Sequence, residues 1–249
     1  MKKDKTYKKN NSIIAYFLII IFGATFIFSG TQIIKYIKNS KANERIADEL
    51  SKYVTINNSE DNEKFSIDFK SLKEKNPDTI GYLKVNGTDI ESVIVKTNNN
   101  SYYLSHNFEK KYNKSGWIFA DYRNRLDDTD KNIIIYGHNM RNTKMFGTLK
   151  NVLTANWQEN EQNRYIILAT EKGTYIYDVF SVYQIEVEDY YITTDFEDNI
   201  SFQSFANKLK SRSEKEFKAD ITNTSQILTL STCGNSNKYR IVVHAIKLE

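Results

Sequence analysis

The chain has 249 residues and a formal net charge of +4, and 40% of its residues are hydrophobic while 27% are charged. This length allows one sizeable domain plus appendages, and 17 Tyr and 14 Phe provide bulk for its core. Much of the positive excess lies within the first nine residues. The rest of the chain lacks the basic stripe of a nucleic-acid-binding surface, so we expect no nucleic-acid partner.

The N-terminus has the pattern of a membrane anchor. A cluster of lysines precedes an uncharged stretch over residues 10–34. A helix over 12–30 would be about 28 Å long at ~1.5 Å per residue, close to the ~30 Å thickness of the hydrocarbon layer. The lysines predict a cytoplasmic N-terminus and an extracellular domain. We predict a basic cytoplasmic tail over 1–11 and a transmembrane signal-anchor helix over 12–36.

A cleaved secretory signal is the alternative interpretation of this segment. The apolar run is longer than the usual core of a signal peptide, and no A-x-A-like cleavage site follows it. These two features favour an uncleaved single-pass anchor in the cell membrane.

Residues 37–75 are predicted to form a stalk and N-terminal helices that pack on the domain. Apolar residues at helical spacing predict a short amphipathic helix: Ala42, Ile46, Leu50 and Tyr53. A second helix is expected from a cap at Ser66 through Leu72, because Pro77 disfavours helical backbone at the residue before it.

From residue 76 to 249 the pattern changes to short apolar runs separated by turns, and Asn86-Gly87 between two runs is a strong hairpin signal. Strands are expected at 80–85, 90–95, 116–120, 132–136, 164–169, 174–185, 226–232 and 239–247. About eight strands predict a mostly β fold with a closed or nearly closed barrel. Helices are expected at 145–153 and at 198–217, the longer one just before the strand at 226–232.

The strand-like run that ends at Cys233 contains the only cysteine of the chain. A solitary thiol forms no disulfide within its own molecule, and oxidising compartments usually pair cysteines. The short connection to the next strand would return the chain as a hairpin and set Arg240 at the same end as Cys233. A buried structural cysteine is the alternative, since this residue type is commonly buried.

His138 follows another apolar run and completes a candidate catalytic group with Cys233 and Arg240. A thiolate is the competent nucleophile, and a neighbouring imidazolium or guanidinium lowers the pKa of a thiol. The histidine would hold the proton and donate it to a leaving amine. Arginine does not deprotonate in proteins, so Arg240 suits binding of a carbonyl or a developing oxyanion.

Several motifs resemble those of the sortase family. The string Thr-Leu-Ser-Thr-Cys at 229–233, with Arg240 opening the next strand, looks like the sortase signature. The segments 76–83, 102–108 and 133–140, followed by 145–147, also resemble that family and are ordered as in class B. The helix expected before the cysteine strand fits the same class. This resemblance covers residues 40–249 and implies a cysteine transpeptidase on a β-barrel fold at the surface of a Gram-positive bacterium.

The resemblance also implies a mechanism. Cys233 would attack the Thr carbonyl of a C-terminal sorting motif, NPxTx-like or PxTG-like, to form a thioacyl-enzyme. A peptidoglycan amine would resolve it and leave the surface protein on the wall. His138 would act as general acid and then base, Arg240 would steady the carbonyl, and Ser231 and Thr232 would line the groove. No cofactor or metal is implied.

The Tyr190-Tyr191 pair before the long helix is a further candidate for the groove, with Tyr191 as the predicted substrate-binding residue. His106 and His244 are expected to be structural. The three histidines and the cysteine lack zinc-site spacing. The acidic loop from Asp121 to Asp130 could bind calcium, as some sortases of another class do, but a solvated loop is favoured because EF-hand spacing is absent.

Two other functions remain as alternatives to a class B sortase. An L,D-transpeptidase-like cell-wall enzyme would also use Cys, His and Arg outside the membrane. Its cysteine typically sits in a Ser-x-Gly-Cys context with a preceding His, and this chain has neither. A non-enzymatic, membrane-tethered peptide-binding module would bury Cys233 as an inert thiol.

Overall fold

The computed structural model describes residues 4–59, 62–222, 224–233 and 238–248, and it describes their side chains except at 4–12, 56–59, 62–64 and 233. The chain divides into two compact units, Met1–Ala42 and Asn43–Glu249.

One long helix begins the chain: α1 spans Asp4–Leu50. Its N-terminal part exposes large apolar side chains, such as Ile20 and Phe26. Thr25 and Thr31 donate their hydroxyl hydrogens to backbone carbonyls of the preceding turn, which satisfies both groups within the helix. Among the described residues this is the single helix long and apolar enough to cross a membrane. The short amphipathic helix expected around Ile46 is wrong as a separate element, because α1 continues without a break to Leu50.

A two-stranded hairpin follows in the segment for which the sequence predicted a stalk and N-terminal helices. Strands β1 (Val54–Ser59) and β2 (Asn62–Ile67) pair antiparallel. The next helix, α2 (Phe69–Lys75), is capped by Asp68, whose carboxylate accepts from the backbone N–H of Ser71 at 3.0 Å. The predicted cap at Ser66 is therefore wrong, since Ser66 belongs to the strand.

Eight strands form a closed barrel: β3 Thr79–Val85, β4 Ile90–Val95, β5 Phe119–Ala120, β6 Asn132–Gly137, β7 Tyr165–Thr170, β8 Gly173–Glu186, β9 Ile227–Cys233 and β10 Tyr239–Lys247. Their order around the barrel is β10-β8-β7-β3-β4-β5-β6-β9. The pairs β4–β5 and β6–β9 are parallel, and the others are antiparallel. The barrel predicted from the sequence is confirmed.

Alternating side chains build the barrel core and its outer cover. In β9, Leu228 and Leu230 join the large interior cluster, whereas Ile227 packs in a separate cluster with residues of α4 (Asn199–Ser211). This alternation explains why a strand with polar residues on one face is still buried: that face lies beneath a covering layer.

Two predicted helices are shorter than expected, for local reasons. The helix expected to reach Phe217 ends at Ser211, because the backbone N–H of Glu214 donates to the carbonyl of Val182 in β8 at 2.9 Å. The helix expected at 145–153 is reduced to a 3-10 turn at Leu149–Leu153, followed by α3 (Ala155–Glu159). Met145 has φ 54°, a left-handed conformation that excludes it from a helix.

Candidate active site

The ends of three neighbouring strands bring the predicted catalytic residues together. In the antiparallel β9–β10 ladder, Arg240 lies directly opposite Cys233. In the parallel β6–β9 ladder, the last pair is Gly137 with Thr232, so the next residue, His138, lies level with Cys233. Adjacent strands are about 4.8 Å apart. The backbone therefore places His138, Cys233 and Arg240 side by side, while the Cys233 side chain lies outside the described residues.

A cleft with a volume of about 310 Å³ opens at this end of the barrel. Its walls come from strand ends and from two connecting segments: Asn100, Leu104, Phe119, Tyr136, Gly137, His138, Val187, Glu188, Asp189, Tyr191, Ile192, Ser231, Thr232 and Arg240. The predicted site residues with described side chains all line this cleft. A larger cavity of about 670 Å³, lined by residues such as Asp178 and Lys218, contains none of them, so cavity size does not locate the site.

His138 is held by the backbone of a facing loop. Its Nε2 lies 2.7 Å from the carbonyl oxygen of Leu104, in a 3-10 turn at Tyr102–Leu104. Because a carbonyl oxygen only accepts, Nε2 must carry the hydrogen of this bond. In the neutral ring Nδ1 is then the unprotonated nitrogen, which is the atom able to take a proton from a thiol or an amine.

The floor and one wall of the cleft are joined by a hydroxyl pair. The phenol oxygen of Tyr191 lies 3.0 Å from the hydroxyl oxygen of Ser231. Tyr191, Ser231 and Thr232 are almost fully buried. This contact fixes the 3-10 turn Tyr190–Ile192 against β9, beside the position of Cys233.

An ion pair between Arg123 and the buried carboxylate of Asp121 supports both walls, and no sequence pattern indicated this role. The carboxylate of Asp121 accepts from Asn100 Nδ2 and from the Tyr136 hydroxyl, both at 2.9 Å. It also accepts from Arg123 at 2.7 Å, and the same guanidinium nitrogen donates to the carbonyl of Ile192 at 2.9 Å. Burial acts to raise the pKa of Asp121, but the hydrogen bonds from Arg123 and Tyr136 outweigh it and leave the pKa lowered.

The remaining carboxylates of the acidic loop also bind protein donors. Asp127 pairs with Lys172, and a hydrogen bond from Thr129 is the largest cause of its pKa falling to about 2. Asp130 accepts from two backbone N–H groups of the loop, and Asp128 pairs with Lys247. Within the described ranges no group of three or more His, Cys, Asp or Glu is arranged to hold a metal ion.

The other two histidines lie in structural settings. His244 is fully buried between the hydroxyls of Tyr183 at 2.8 Å and Thr229 at 2.9 Å, and burial lowers its pKa to about 3. It is therefore neutral at ordinary pH. His106 stacks on Tyr102, with ring centroids 4.1 Å apart. Neither lines the cleft.

Comparison with known proteins agrees with this geometry. The sortase-domain family model matches residues 83–248. Sortase B of Listeria monocytogenes serovar 1/2a is 30% identical over 235 residues, which cover 93% of this chain and 94% of that protein. The crystal structure of sortase B from B. anthracis in complex with AAEK1 matches with a TM-score of 0.75 at 30% identity, covering 86% of this chain and 99% of the other.

A Staphylococcus aureus sortase B–substrate complex matches with a TM-score of 0.68 at 33% identity, over 73% of this chain and 84% of that one. The family-model match over 83–248 contains the three strand ends and the cleft described above. The chain therefore belongs to the sortase family of cysteine transpeptidases, and within it to class B.

Proposed function

We propose that this chain is a membrane-anchored transpeptidase in which Cys233, His138 and Arg240 cleave a sorting motif after its Thr. The observation that carries the proposal is the strand register, which sets these three residues side by side, with His138 and Arg240 lining one cleft. A nucleophile, a proton carrier and a permanent cation at one strand end are the groups that acyl transfer through a thioester requires.

The reaction follows from the chemistry of each group. The Cys233 thiolate attacks the Thr carbonyl, and Arg240 stabilises the negative charge on the oxygen of the tetrahedral intermediate. The C–N bond then breaks as His138 gives its proton to the leaving amine, which leaves a thioester on Cys233. An incoming amine attacks this thioester, and His138 takes its proton. The new amide bond forms as the thiolate leaves.

The walls of the cleft favour an extended peptide with apolar residues. Leu104 and Val187 are exposed at its rim, and Ile192 lies on the wall held by Arg123. The Staphylococcus aureus relative has been solved with its substrate. We propose an NPxTx-like or PxTG-like motif in surface proteins as the donor, and an amine of peptidoglycan or its precursor as the acceptor.

A screen of peptide libraries would test this proposal. The full-length chain in detergent micelles is mixed with sorting-motif peptides and with triglycine or diaminopimelate as the amine. Mass spectrometry should detect cleavage after Thr and a new amide to the amine. Cleavage at an unrelated bond, or none with any library member, would contradict the proposal. Rapid modification of Cys233 by a methanethiosulfonate reagent would separate the enzyme from a peptide-binding module, whose thiol would be inert.

The domain arrangement is part of the same proposal: tail 1–11, anchor 12–36, stalk and N-terminal helices 37–75, and catalytic barrel 76–249. We propose a cytoplasmic N-terminus and an extracellular barrel, supported by the exposed apolar side chains of α1 and the lysines before them. In intact cells an impermeant maleimide should label Cys233 but not a cysteine placed at Lys5 in a Cys233→Ala background. Labelling at position 5 but not at Cys233 would show the opposite orientation, with the N-terminus outside the cell.

Replacing Arg123 by Met should weaken substrate binding more than it changes the reactivity of the Cys233 thiol. The change removes the donor to the Ile192 carbonyl and one partner of the buried Asp121 carboxylate, each a charged hydrogen bond worth about 1.5–3 kcal/mol. We expect KM for the sorting peptide to rise about tenfold. Alkylation of Cys233 by iodoacetamide should stay within about twofold of the unsubstituted protein.

The matched control is Arg125→Met in the same loop, because Arg125 is exposed and its side chain does not line the cleft. Steady-state kinetics and the alkylation rate are measured on both variants. If kcat/KM for the peptide and the alkylation rate of Cys233 fall by the same factor in Arg123→Met, the ion pair supports the whole site rather than the peptide wall.

A further inference from the structure

A small buried network connects the C-terminal part of α1 with the loop that holds His138. Asn43 is 2% exposed, and its side chain uses both amide atoms. Its Nδ2 donates to the carbonyl of Gly116 at 2.8 Å, and its Oδ1 accepts from Asn113 Nδ2 at 2.8 Å. A buried amide with both ends bonded fixes its partners, because losing one bond leaves a polar group unsatisfied.

Gly116 is the point at which this network reaches the histidine. It has φ +58°, a left-handed conformation that glycine adopts without strain. A Cβ at this position would lie 2.4 Å from the Tyr103 carbonyl oxygen and 3.0 Å from both His138 Cδ2 and the Leu104 carbonyl oxygen. The Gly116 backbone therefore packs against the His138 ring and against the carbonyl that binds its Nε2.

The two loop segments around Gly116 are also hydrogen-bonded to each other. The backbone N–H of Trp117 donates to the Tyr103 carbonyl at 2.9 Å, and that of Asn113 donates to the Ser105 carbonyl at 2.9 Å. These bonds lie on either side of Leu104 in sequence. A shift of Gly116 would consequently move the Leu104 carbonyl, which orients the imidazole.

We propose that Asn43 and Gly116 are positioning residues for His138: they hold the Leu104 carbonyl where it fixes the hydrogen on Nε2 and leaves Nδ1 for proton transfer. This inference rests on the proposed catalytic role of His138. It assigns a part in catalysis to a residue of the N-terminal helix, far in sequence from the catalytic group. The network acts on the orientation and tautomer of the ring, and it touches neither substrate nor thiol.

The variant that tests this is Asn43→Asp. It keeps the size of the side chain and the acceptor for Asn113, but it replaces the donor to Gly116 by an acceptor. We expect kcat to fall about 10- to 100-fold, the order of effect expected for a catalytic group moved by about 1 Å, with KM within about twofold. Asn163→Asp is the matched control, because Asn163 donates to the Trp157 carbonyl and contacts the turn at Gly87 instead of the cleft.

A second readout reports the ring directly. The full chain contains three histidines, so ¹⁵N-labelled histidine in the detergent-solubilised protein gives three imidazole patterns, assigned with His138→Ala. In spectra recorded at a pH high enough to give the neutral ring, the unsubstituted protein should carry the hydrogen of His138 on Nε2. In Asn43→Asp that pattern should become a mixture of tautomers, while His106 and His244 stay unchanged.

Three outcomes are separable. A neutral His138 ring with its hydrogen on Nδ1 in the unsubstituted protein would overturn the proposal without any variant. Wild-type kcat and an unchanged His138 pattern in Asn43→Asp would also overturn it. If Asn43→Asp does not fold, Asn43→Ala gives the same test, because it removes both hydrogen bonds of the side chain without burying a charge, and the same fall in kcat is expected. Activity that survives in Cys233→Ala and His138→Ala would instead contradict the proposed function itself.

Discussion

Replacing Cys233 by Ala is expected to abolish cleavage of a sorting-motif peptide. Without the sulfur no thioester forms, and neither water nor an amine attacks the Thr carbonyl as fast as the thiolate does. Removing the nucleophile from a catalytic group of this kind costs at least about 10⁴-fold in kcat. His138→Ala should be nearly as inactive, because the thiolate would lose its proton partner and the leaving amine its acid.

The control for this experiment is to show that the Cys233→Ala variant is still folded. Cys233 is at the end of β9, so the alanine variant should keep its backbone pairing with Arg240 and the melting temperature of the unsubstituted protein. The measurement is peptide cleavage followed by mass spectrometry at matched protein concentration. Cleavage by Cys233→Ala at more than about a hundredth of the normal rate would identify a different nucleophile.

Arg240→Lys is expected to lower kcat by about 10²–10³-fold, the effect of losing one oxyanion donor. Lysine keeps the positive charge but loses the planar fork of donors that a guanidinium presents. Arg240 lines the cleft opposite Cys233, and its Nη1 donates to the Tyr239 carbonyl at 3.1 Å. A shorter, more strongly hydrated ammonium group would not reproduce this placement.

Arg125→Lys is the matched substitution, since it makes the same chemical change at an exposed position of the acidic loop. Steady-state kinetics on both variants should show a loss confined to Arg240→Lys and expressed mainly in kcat. Full activity in that variant would mean that position 240 supplies only a point charge, or that it takes no part in the reaction.

The strands and the pairing of Cys233 with Arg240 were predictable because their signals are local. The Asn86-Gly87 pair and the alternating runs of β9 and β10 are signals of hairpins, and Arg240 follows Cys233 by only seven residues, so a return of the chain sets the two opposite each other. Tyr191 and Ser231, both predicted to line a substrate groove, lie at one cleft with their hydroxyls in contact, and their binding of substrate stays a prediction. These features depend on neighbours along the chain or on a single strand pairing.

The remaining features depend on contacts between distant segments, which local patterns do not encode. The helix after Asp198 ends early because residue 214 bonds to β8, and that bond exists only in the folded barrel. Asp121 looked like part of a solvated acidic loop, yet it is buried beneath the cleft by Arg123 and Tyr136. Asn43 gave no signal either, since its partners lie about 70 residues away in sequence.

The most direct test of the catalytic account is to trap the acyl-enzyme. The full-length chain is mixed with a sorting-motif peptide without an added amine, quenched in acid, digested and analysed by mass spectrometry. We predict a thioester that joins the Thr of the peptide to Cys233, which disappears when triglycine is added before the quench. An acyl group on any other residue, or cleavage after Thr with no thioester at Cys233 in a rapid-quench series, would contradict the account.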